Sequence, residues 1–155
     1  MTPRTIALIA HDGKKADMVA FAKDNAGLLR QYDIIATGTT GRYLQEKSGL
    51  KVTRMSSGPL GGDAQIAAHI VDGKVTAMFF FVDPLGKHPH DPDIQMLLRI
   101  CNVHNVPLAT NEATALCIIA AMEIAQMDDA PPRIAELKTE LTRLLPPDAE
   151  EVHEQ

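Results

Sequence analysis

The chain has 155 residues, 45% of them hydrophobic but only 4% aromatic, which predicts one domain with a mainly aliphatic core. Its formal net charge of −5 argues against nucleic acid or an anionic membrane as the main partner. Because the chain shows no secretion signal and no apolar run of membrane-spanning length, we expect a soluble cytoplasmic protein.

Short apolar runs alternate with helical patterns along most of the chain. The first run, at 5–10, is almost entirely apolar, as in a strand buried on both faces of a sheet. Further strands are predicted at 33–37, 52–55, 77–82 and 107–110, and helices at 14–31, 40–47, 63–72, 92–105 and 112–126. Five alternations predict an α/β fold, namely a doubly wound three-layer α/β/α sandwich with a five-stranded parallel sheet.

The last part of the chain breaks this alternation. We expect residues 1–130 to form one α/β domain and residues 131–155 to add an amphipathic helix and an acidic tail. Cys101 and Cys117 lie among apolar neighbours in two of the predicted helices. We therefore expect both to be buried free thiols and not a disulfide.

Polar motifs follow all five predicted strands. They are His11-Asp12, the segments 37–40, 57–63 and 83–93, and Thr110-Asn111. In a parallel sheet the loops after the strands open on the same edge, and ligands bind there. The sequence therefore predicts one pocket that is rich in hydroxyls, glycine amides, carboxylates and imidazoles.

The Thr-Gly-Thr-Thr segment at 37–40 joins a predicted strand to a helix. Glycine allows the backbone to approach a ligand, and the amides of the helix start attract a phosphate, to which the threonine hydroxyls can donate. Threonine is equally common as a plain helix cap, so both roles stay open. After the first strand, Lys14 or Lys15 could contact the same phosphate or lie on the surface.

The segment 57–63 contains three glycines within five positions, which favours a backbone that wraps a small anion. Asp63 ends this segment where the next helix is predicted to begin. It is either a simple N-cap or a catalytic carboxylate, and the second role requires an acid–base partner nearby.

The proline-rich segment 83–93 offers such partners in His88, His90, Asp91 and Asp93. Its three prolines would hold these side chains rather rigidly. Two other roles stay open for the loop. It could bind a metal through His88, His90 and a carboxylate, or it could be a solvated connection.

Six strings together resemble the methylglyoxal synthase family, in order and at its spacing over residues 5–120. They are Ala10-His-Asp, Ala36-Thr-Gly-Thr-Thr-Gly41, Ser57-Gly-Pro-Leu-Gly-Gly-Asp63, Phe81-Val-Asp-Pro-Leu85, Pro89-His-Asp-Pro-Asp93 and Ala109-Thr-Asn-Glu-Ala-Thr114. The resemblance implies a catalytic domain that converts dihydroxyacetone phosphate to methylglyoxal and inorganic phosphate. It also implies that no metal or organic cofactor is used and that the protein assembles as a homohexamer.

The resemblance implies roles for single residues as well. Asp63 would take the proton next to the substrate carbonyl, His90 would polarise that carbonyl, and Asp93 would be a second carboxylate of the site. The implied substrate-binding residues are His11, Lys15, Thr37, Gly38, Thr39, Thr40, Ser57 and Gly58. The family also carries a C-terminal arginine that reaches the phosphate, and neither Arg133 nor Arg143 can be assigned to that role.

Two other functions stay open. Related domains of this fold serve as non-catalytic regulatory modules that bind a ligand, and His88 with His90 would suit a metal-dependent hydrolase. A pure sensor has no chemical need to keep Asp63, His90 and Asp93 together. A metal-dependent enzyme would lose its activity in the presence of a chelator.

Overall fold

A five-stranded parallel sheet forms the centre of the computed structural model, which describes residues 4–86 and 91–146. The strands are β1 (Thr5–Ala10), β2 (Asp33–Ala36), β3 (Val52–Arg54), β4 (Val75–Phe81) and β5 (Leu108–Ala109). They lie in the order β3-β2-β1-β4-β5, and each pair of neighbours is parallel. The predicted sheet is therefore confirmed, with β1 and β4 buried along their whole length.

The helices lie between these strands and after the last of them. They are α1 (Lys15–Asp24), α2 (Ala26–Leu29), α3 (Gly38–Lys47), α4 (Gly62–Val71), α5 (Asp91–Val103), α6 (Glu112–Ala125) and α7 (Pro132–Leu144). Two 3-10 turns, Asp12–Lys14 and Gly58–Leu60, precede α1 and α4. Within the described residues, none of the helices has the length and apolar composition that crossing a membrane requires.

The alternation of side chains along β1 divides the apolar residues into two cores, one on each face of the sheet. Ile6 and Leu8 belong to the first core, and Ala7 and Ile9 belong to the second. Their partners are Met18, Phe21, Ile119 and Met122 in the first core and Ile66, Ile70, Ile94 and Leu97 in the second. Helices therefore cover both faces, which confirms the three-layer, doubly wound arrangement predicted from the sequence.

Several element boundaries differ from the prediction by one or two residues, and two of the differences have a local physical reason. The helix predicted at 14–31 is interrupted at Asn25, whose side-chain amide donates to the Phe21 carbonyl oxygen at 2.9 Å. Such a bond gives the backbone a local alternative to the regular helical pattern. β4 begins two residues earlier than predicted, because the β-branched Val75 and Thr76 suit a strand.

The expectation of buried thiols is confirmed for Cys101 and wrong for Cys117. Both cysteines are free, but Cys117 is exposed. The helix α6 carries apolar side chains of its own on all its sides. The apolar sequence neighbours of Cys117 therefore did not show which face of α6 packs on the sheet. Cys101 lies in the second core, where burial raises the pKa of its thiol to about 11. A thiol with this pKa stays protonated at neutral pH.

The C-terminal helix α7 is attached to the first core. Leu145, directly after α7, is 4% exposed and belongs to that core, and Leu141 packs against it. Thr142 Oγ1 also donates to the carbonyl oxygen of Ala125 in α6, at 3.5 Å. The domain boundary at residue 130 stays a prediction. Substitution of the buried Leu145 tests whether the segment after residue 130 packs on the core of the α/β domain.

We expect Leu145→Ala to lower the free energy of unfolding by about 2–5 kcal/mol, because the substitution removes buried apolar contacts and leaves a cavity. Leu144→Ala is the matched control. Leu144 is 36% exposed, so its loss should cost under about 1 kcal/mol. Urea denaturation measures both values, and equal effects would show that the C-terminal segment does not share the first core in solution.

Candidate active site

The loops after β1, β2, β3 and β4 meet at the carboxyl edge of the sheet around one cavity. The chain runs from the central β1 outward to β2 and β3 and then returns to β4 on the other side, so the winding direction changes between β1 and β4. Ligands bind at such switch points in open α/β sheets. The cavity measures about 570 Å³. Of the predicted site residues, it is lined by His11, Lys15, Thr37, Thr39, Ser57, Gly58 and Asp63.

Lys15 reaches the cavity from the start of α1, and the end of β1 holds its ammonium group in place. Nζ donates to the carbonyl oxygen of Ala10 and to Oδ1 of Asp12, both at 2.8 Å. The side chain of Lys15 is only 10% exposed, so it is not a surface lysine. An ammonium group has three N–H donors, and within the described residues these bonds use two of them.

His11 is held by the end of β4. Its backbone amide donates to the Phe81 carbonyl oxygen at 3.1 Å, and its ring accepts a hydrogen bond at Nδ1 from the Asp83 amide at 2.9 Å. The imidazole also packs edge-on against Phe80, with the ring centroids 5.2 Å apart. These contacts fix the orientation of a ring that is only 6% exposed.

Thr37 and Thr39 bring hydroxyl groups to the cavity at the start of α3. Thr37 is the N-cap residue of α3, yet within the described residues its side chain makes no capping hydrogen bond. The plain cap role that the sequence allowed is therefore not used by this hydroxyl. The first turn of a helix also leaves backbone N–H groups without partners inside the helix, which suits an anion.

Thr40 and Gly38, in contrast, do not line the cavity and hold neighbouring loops together. Thr40 Oγ1 donates to the Ala10 carbonyl oxygen and accepts from the Ala10 amide, both at 3.2 Å. The Gly38 amide donates to the Ser56 carbonyl oxygen at 3.0 Å. The start of α3 is thus tied both to β1 and to the loop after β3.

Close packing requires glycine in the loop after β3. A Cβ atom at Gly62 would overlap the Ser56 carbonyl oxygen. Gly61 has a φ of 104°, a left-handed conformation that favours glycine. Ser57 and Gly58, which come first in this loop, line the cavity.

Asp63 places a buried carboxylate in the cavity. It lies in the first turn of α4 and is 1% exposed. The N-cap residue of α4 is Gly61, so the simple N-cap role for Asp63 is excluded. Burial of a carboxylate costs free energy unless its surroundings compensate, and carboxylates held at such positions are typical of functional sites.

The described residues that line the cavity do not give it a positive net charge. Among the described residues that line it, Lys15 is the only lysine or arginine, whereas Asp12, Asp63 and Asp83 are all acidic. An anion would therefore depend on directed donors, which here are the Lys15 ammonium, the threonine hydroxyls and the backbone amides of the helix start.

Several known proteins similar to this chain are named methylglyoxal synthase. The family described as MGS-like domain matches residues 17–110, more than half of the chain. The methylglyoxal synthase of Ralstonia nicotianae is 54% identical over 125 residues, which cover 81% of this chain and 93% of that protein. The methylglyoxal synthase of Thermus thermophilus is 55% identical over 117 residues, which cover 76% of this chain and 93% of that protein. The crystal structure of methylglyoxal synthase from Elizabethkingia anophelis matches with a TM-score of 0.72 at 44% identity and covers 77% of this chain and 78% of that one.

This chain belongs to the methylglyoxal synthase family. The cavity contains most of the residues that the resemblance to this family had implied, and two of the implied catalytic residues are not among them. His90 lies outside the described residues. Asp93 is exposed near the start of α5 and does not line the cavity that the described residues form.

Thr110 and Asn111, the motif after β5, line a separate cavity of about 350 Å³. Asn111 also caps α6, because its Oδ1 accepts from the Thr114 amide at 2.9 Å. Conversely, Gly13 and Asp83 line the main cavity although sequence analysis gave neither of them an individual role, and it included Asp83 only as part of the segment 83–93. The position of Asp83 shortly after β4 could have identified it as a site residue, because His11 was identified by its position directly after β1.

The metal site considered as an alternative falls on residues that the structure does not describe, since it depends on His88 and His90. Within 4–86 and 91–146, no group of three His, Cys, Asp or Glu side chains could hold a metal ion. For a member of the methylglyoxal synthase family, the described donors of the cavity suit an anionic organic ligand.

We expect Thr40→Val to lower the free energy of unfolding by about 1–3 kcal/mol, because it removes a buried hydroxyl that pairs with both backbone groups of Ala10. Thr39→Val is the control in the same turn. Thr39 makes no comparable bond to β1 among the described residues, so the change should stay within about 0.5 kcal/mol. Urea denaturation distinguishes the two, and a Thr40→Val protein as stable as the parent would contradict this structural role.

Proposed function

We propose that this chain converts dihydroxyacetone phosphate to methylglyoxal and inorganic phosphate. The observation that carries the proposal is a buried carboxylate, Asp63, in the same cavity as Lys15 and the threonines of the α3 start. Removal of a proton beside a carbonyl requires a positioned base, and the departure of phosphate requires donors for its oxygens. The cavity supplies both. The enzyme would be a carbon–oxygen lyase.

The proposed reaction needs neither water nor an oxidant. Asp63 takes a proton from the hydroxymethyl carbon, and the electron pair of that C–H bond forms an enediolate. Loss of the hydroxyl proton on the same carbon then drives electrons toward the opposite carbon, where the C–O bond to phosphate breaks. The products are inorganic phosphate and the enol of methylglyoxal, which takes up a proton on carbon to become methylglyoxal.

His90 and Asp93 complete the proposed chemistry through the family resemblance. His90 would donate to the carbonyl oxygen while charge develops on it, and Asp93 would be the second carboxylate for proton transfer. A carboxylate base combined with a neutral imidazole is a known solution for enediolate chemistry, as in triosephosphate isomerase. Asp93 lies near the start of α5 and outside the cavity that the described residues form, so its role is proposed from the family resemblance alone.

Substrate binding divides between residues that contact the ligand and residues that support them. We propose direct contacts for those that line the cavity, namely His11, Lys15, Thr37, Thr39, Ser57 and Gly58. Thr40 and Gly38 would act indirectly, because the Thr40 hydroxyl and the Gly38 amide are used within the fold. An inhibitory effect of inorganic phosphate follows from the same contacts.

A cytoplasmic location and assembly as a homohexamer also belong to this proposal. Leu60 and Leu85, in two of the loops around the cavity, are 81% and 94% exposed, and Leu116 of α6 is 50% exposed. Exposed apolar side chains mark an interface where they form a contiguous patch, and these three come from separate elements, so the hexamer is proposed from the family resemblance alone. Sedimentation velocity on the purified protein would measure the assembly directly.

The two C-terminal arginines remain without a role in phosphate binding. Arg133 pairs with Glu136 at 3.0 Å, and Arg143 pairs with Glu140 at 2.9 Å. Arg143 lines a cavity together with Val75, at the start of β4, which is the opposite edge of the sheet from the site.

Incubation of the purified protein with dihydroxyacetone phosphate tests the proposal. Equal amounts of methylglyoxal and free phosphate should form at the same rate, and a chelator should leave that rate unchanged. Loss of activity with the chelator would favour the metal-dependent alternative. Binding of the substrate without turnover would favour the regulatory module.

Thr39→Val should weaken both inorganic phosphate and substrate, because it removes a hydroxyl donor at the start of α3. The loss of one hydrogen bond to a charged group costs about 1.5–3 kcal/mol of binding. Phosphate titration by calorimetry and the KM for substrate measure the two effects. If neither affinity changes, Thr39 does not contact the phosphate.

Asp63→Asn should abolish catalysis while folding and phosphate binding persist, because asparagine keeps the shape of the side chain and lacks its basicity. General acid–base catalysis contributes about 10²–10⁴-fold to a rate, so kcat should fall at least that far. Asp72→Asn, at the exposed other end of α4, is the matched control. Deuterium exchange into substrate is followed together with product release, and exchange near the parent rate in Asp63→Asn would mean that another residue is the base.

A further inference from the structure

We propose that Arg54 is a positioning residue of the phosphate site, which strengthens the Thr39 amide as a hydrogen-bond donor to a phosphate oxygen. The inference rests on the proposed function, because it concerns how the start of α3 binds the phosphate group. Arg54 does not line the cavity that the described residues form. It would act through the peptide group that joins Gly38 to Thr39.

Strand pairing places Arg54 beside the start of α3. Arg54 is the last residue of β3 and pairs with Ala36, the last residue of β2. The chain continues from Ala36 through Thr37 directly into α3. The side chain of Arg54 then reaches the helix, because its Nε donates to the Gly38 carbonyl oxygen at 3.2 Å. The guanidinium group therefore lies at the first turn of α3.

Gly41 leaves room for the aliphatic part of the Arg54 side chain. A Cβ atom at Gly41 would lie 2.6 Å from Arg54 Cγ and 3.5 Å from Arg54 Cβ. The shorter distance is far inside the optimum of about 3.5–4.0 Å for two carbon atoms. The arginine side chain thus lies along the first turn of α3, and its path depends on the absence of a side chain at position 41.

The Gly38 carbonyl and the Thr39 amide belong to the same peptide group. The Gly38 amide donates to the Ser56 carbonyl oxygen at 3.0 Å. The next two amides of the helix, those of Thr39 and Thr40, make no hydrogen bond within the described residues. A charged donor on the carbonyl side polarises a peptide group, so the amide on its other side becomes a stronger donor. Arg54 therefore acts on one of the two amides that are left for an anion.

The charge of Arg54 fits the same role. The start of a helix carries a partial positive charge, so a cation there is disfavoured unless an anion is also present. The ion pairs found between described residues involve other side chains, and none of them pairs Arg54 with a carboxylate. A phosphate group at the start of α3 would relieve this repulsion. Lys15 is the only lysine or arginine among the described lining residues, so a cation behind the helix start adds to the attraction.

Nuclear magnetic resonance can detect the polarised peptide in the full chain without turnover. Arg54→Met keeps an unbranched side chain and removes the charge and the Nε donor. It should move the Thr39 amide nitrogen to lower chemical shift, because the peptide is less polarised. The Thr40 nitrogen should move less, since Arg54 does not bond the Thr39 carbonyl oxygen. Loss of the Thr39 signal from threonine-labelled Thr39→Val gives the assignment. No shift at Thr39, or equal shifts at both nitrogens, overturns the proposal.

Titration with inorganic phosphate measures the consequence for binding. Arg54→Met should bind phosphate about two- to fivefold more weakly, while the midpoint of urea unfolding without phosphate stays equal to that of the parent or rises. Lys51→Met is the matched control, because it removes the same charge from an exposed residue just before β3. It should leave the phosphate affinity unchanged. Unchanged affinity in Arg54→Met, an equal loss in Lys51→Met, or a lower urea midpoint in Arg54→Met contradicts the proposal.

Gly41→Ala tests the same contact with the charge of Arg54 retained. The added Cβ atom should turn the Arg54 side chain away from Gly38, so the phosphate affinity and the Thr39 shift should fall as in Arg54→Met. The double variant should lose little more than either single variant, because both remove one hydrogen bond. Gly27→Ala in α2 is the control, since a Cβ atom there meets nothing within 4 Å, and it should leave both readouts unchanged. A normal Thr39 shift in Gly41→Ala contradicts the role of Arg54.

The same measurements separate this inference from the proposed function. A parent protein that shows these effects but forms no methylglyoxal refutes the proposed function and leaves the role of Arg54 standing. Formation of methylglyoxal by the parent, together with phosphate binding that Arg54→Met does not change, refutes the role of Arg54 alone.

Discussion

The backbone of Ala10, at the end of β1, is the point on which the site depends. Its carbonyl oxygen accepts from Lys15 Nζ at 2.8 Å and from Thr40 Oγ1 at 3.2 Å, and its N–H donates to the same Thr40 hydroxyl. One buried residue therefore joins the start of α1 to the start of α3. Because β1 is central and fully buried, the core of the sheet positions both the ammonium group and the start of α3.

Close packing between loops supports this arrangement. Gly62 lies where any Cβ atom would overlap the Ser56 carbonyl oxygen, and that same oxygen accepts from the Gly38 amide. Glycines in this region thus bring the loops after β2 and β3 into contact, and only part of the glycine-rich segment faces the cavity. Glycines in such a string can therefore serve two purposes. Some allow dense packing of the backbone, and others allow a ligand to approach it.

The charges of the cavity explain why its donors must be directed. A carboxylate base at Asp63 is useful for removing a proton, but it also repels a phosphorylated substrate. Lys15 balances only part of the acidic charge of the described lining residues. Neutral donors with fixed directions, such as hydroxyls and backbone amides, can bind the phosphate oxygens without neutralising the base. The proposed role of Thr39 follows from this requirement.

The apolar runs and their periodicity, by themselves, determined the sheet, the two covering layers and the edge at which the motifs meet. These are local patterns, and the right-handed crossover rule converts them into a topology. Local patterns were less reliable at Asn25, where a side-chain hydrogen bond interrupts a helix. They also failed at Cys117, because its helix is apolar on all sides and the sequence does not show which side is buried. The exclusion of an N-cap role for Asp63 also required the observed start of α4.

Only the tertiary structure decided which residues of each motif face the ligand. Thr39 and Thr40 are equivalent in the sequence, yet only Thr39 lines the cavity, because the Thr40 hydroxyl pairs with Ala10, 30 positions away. Asp83 likewise gained its place through a bond to His11 across 72 positions. The physical reason is that a hydrogen bond depends on distance and angle between atoms, and the fold sets these for residues that no local pattern connects.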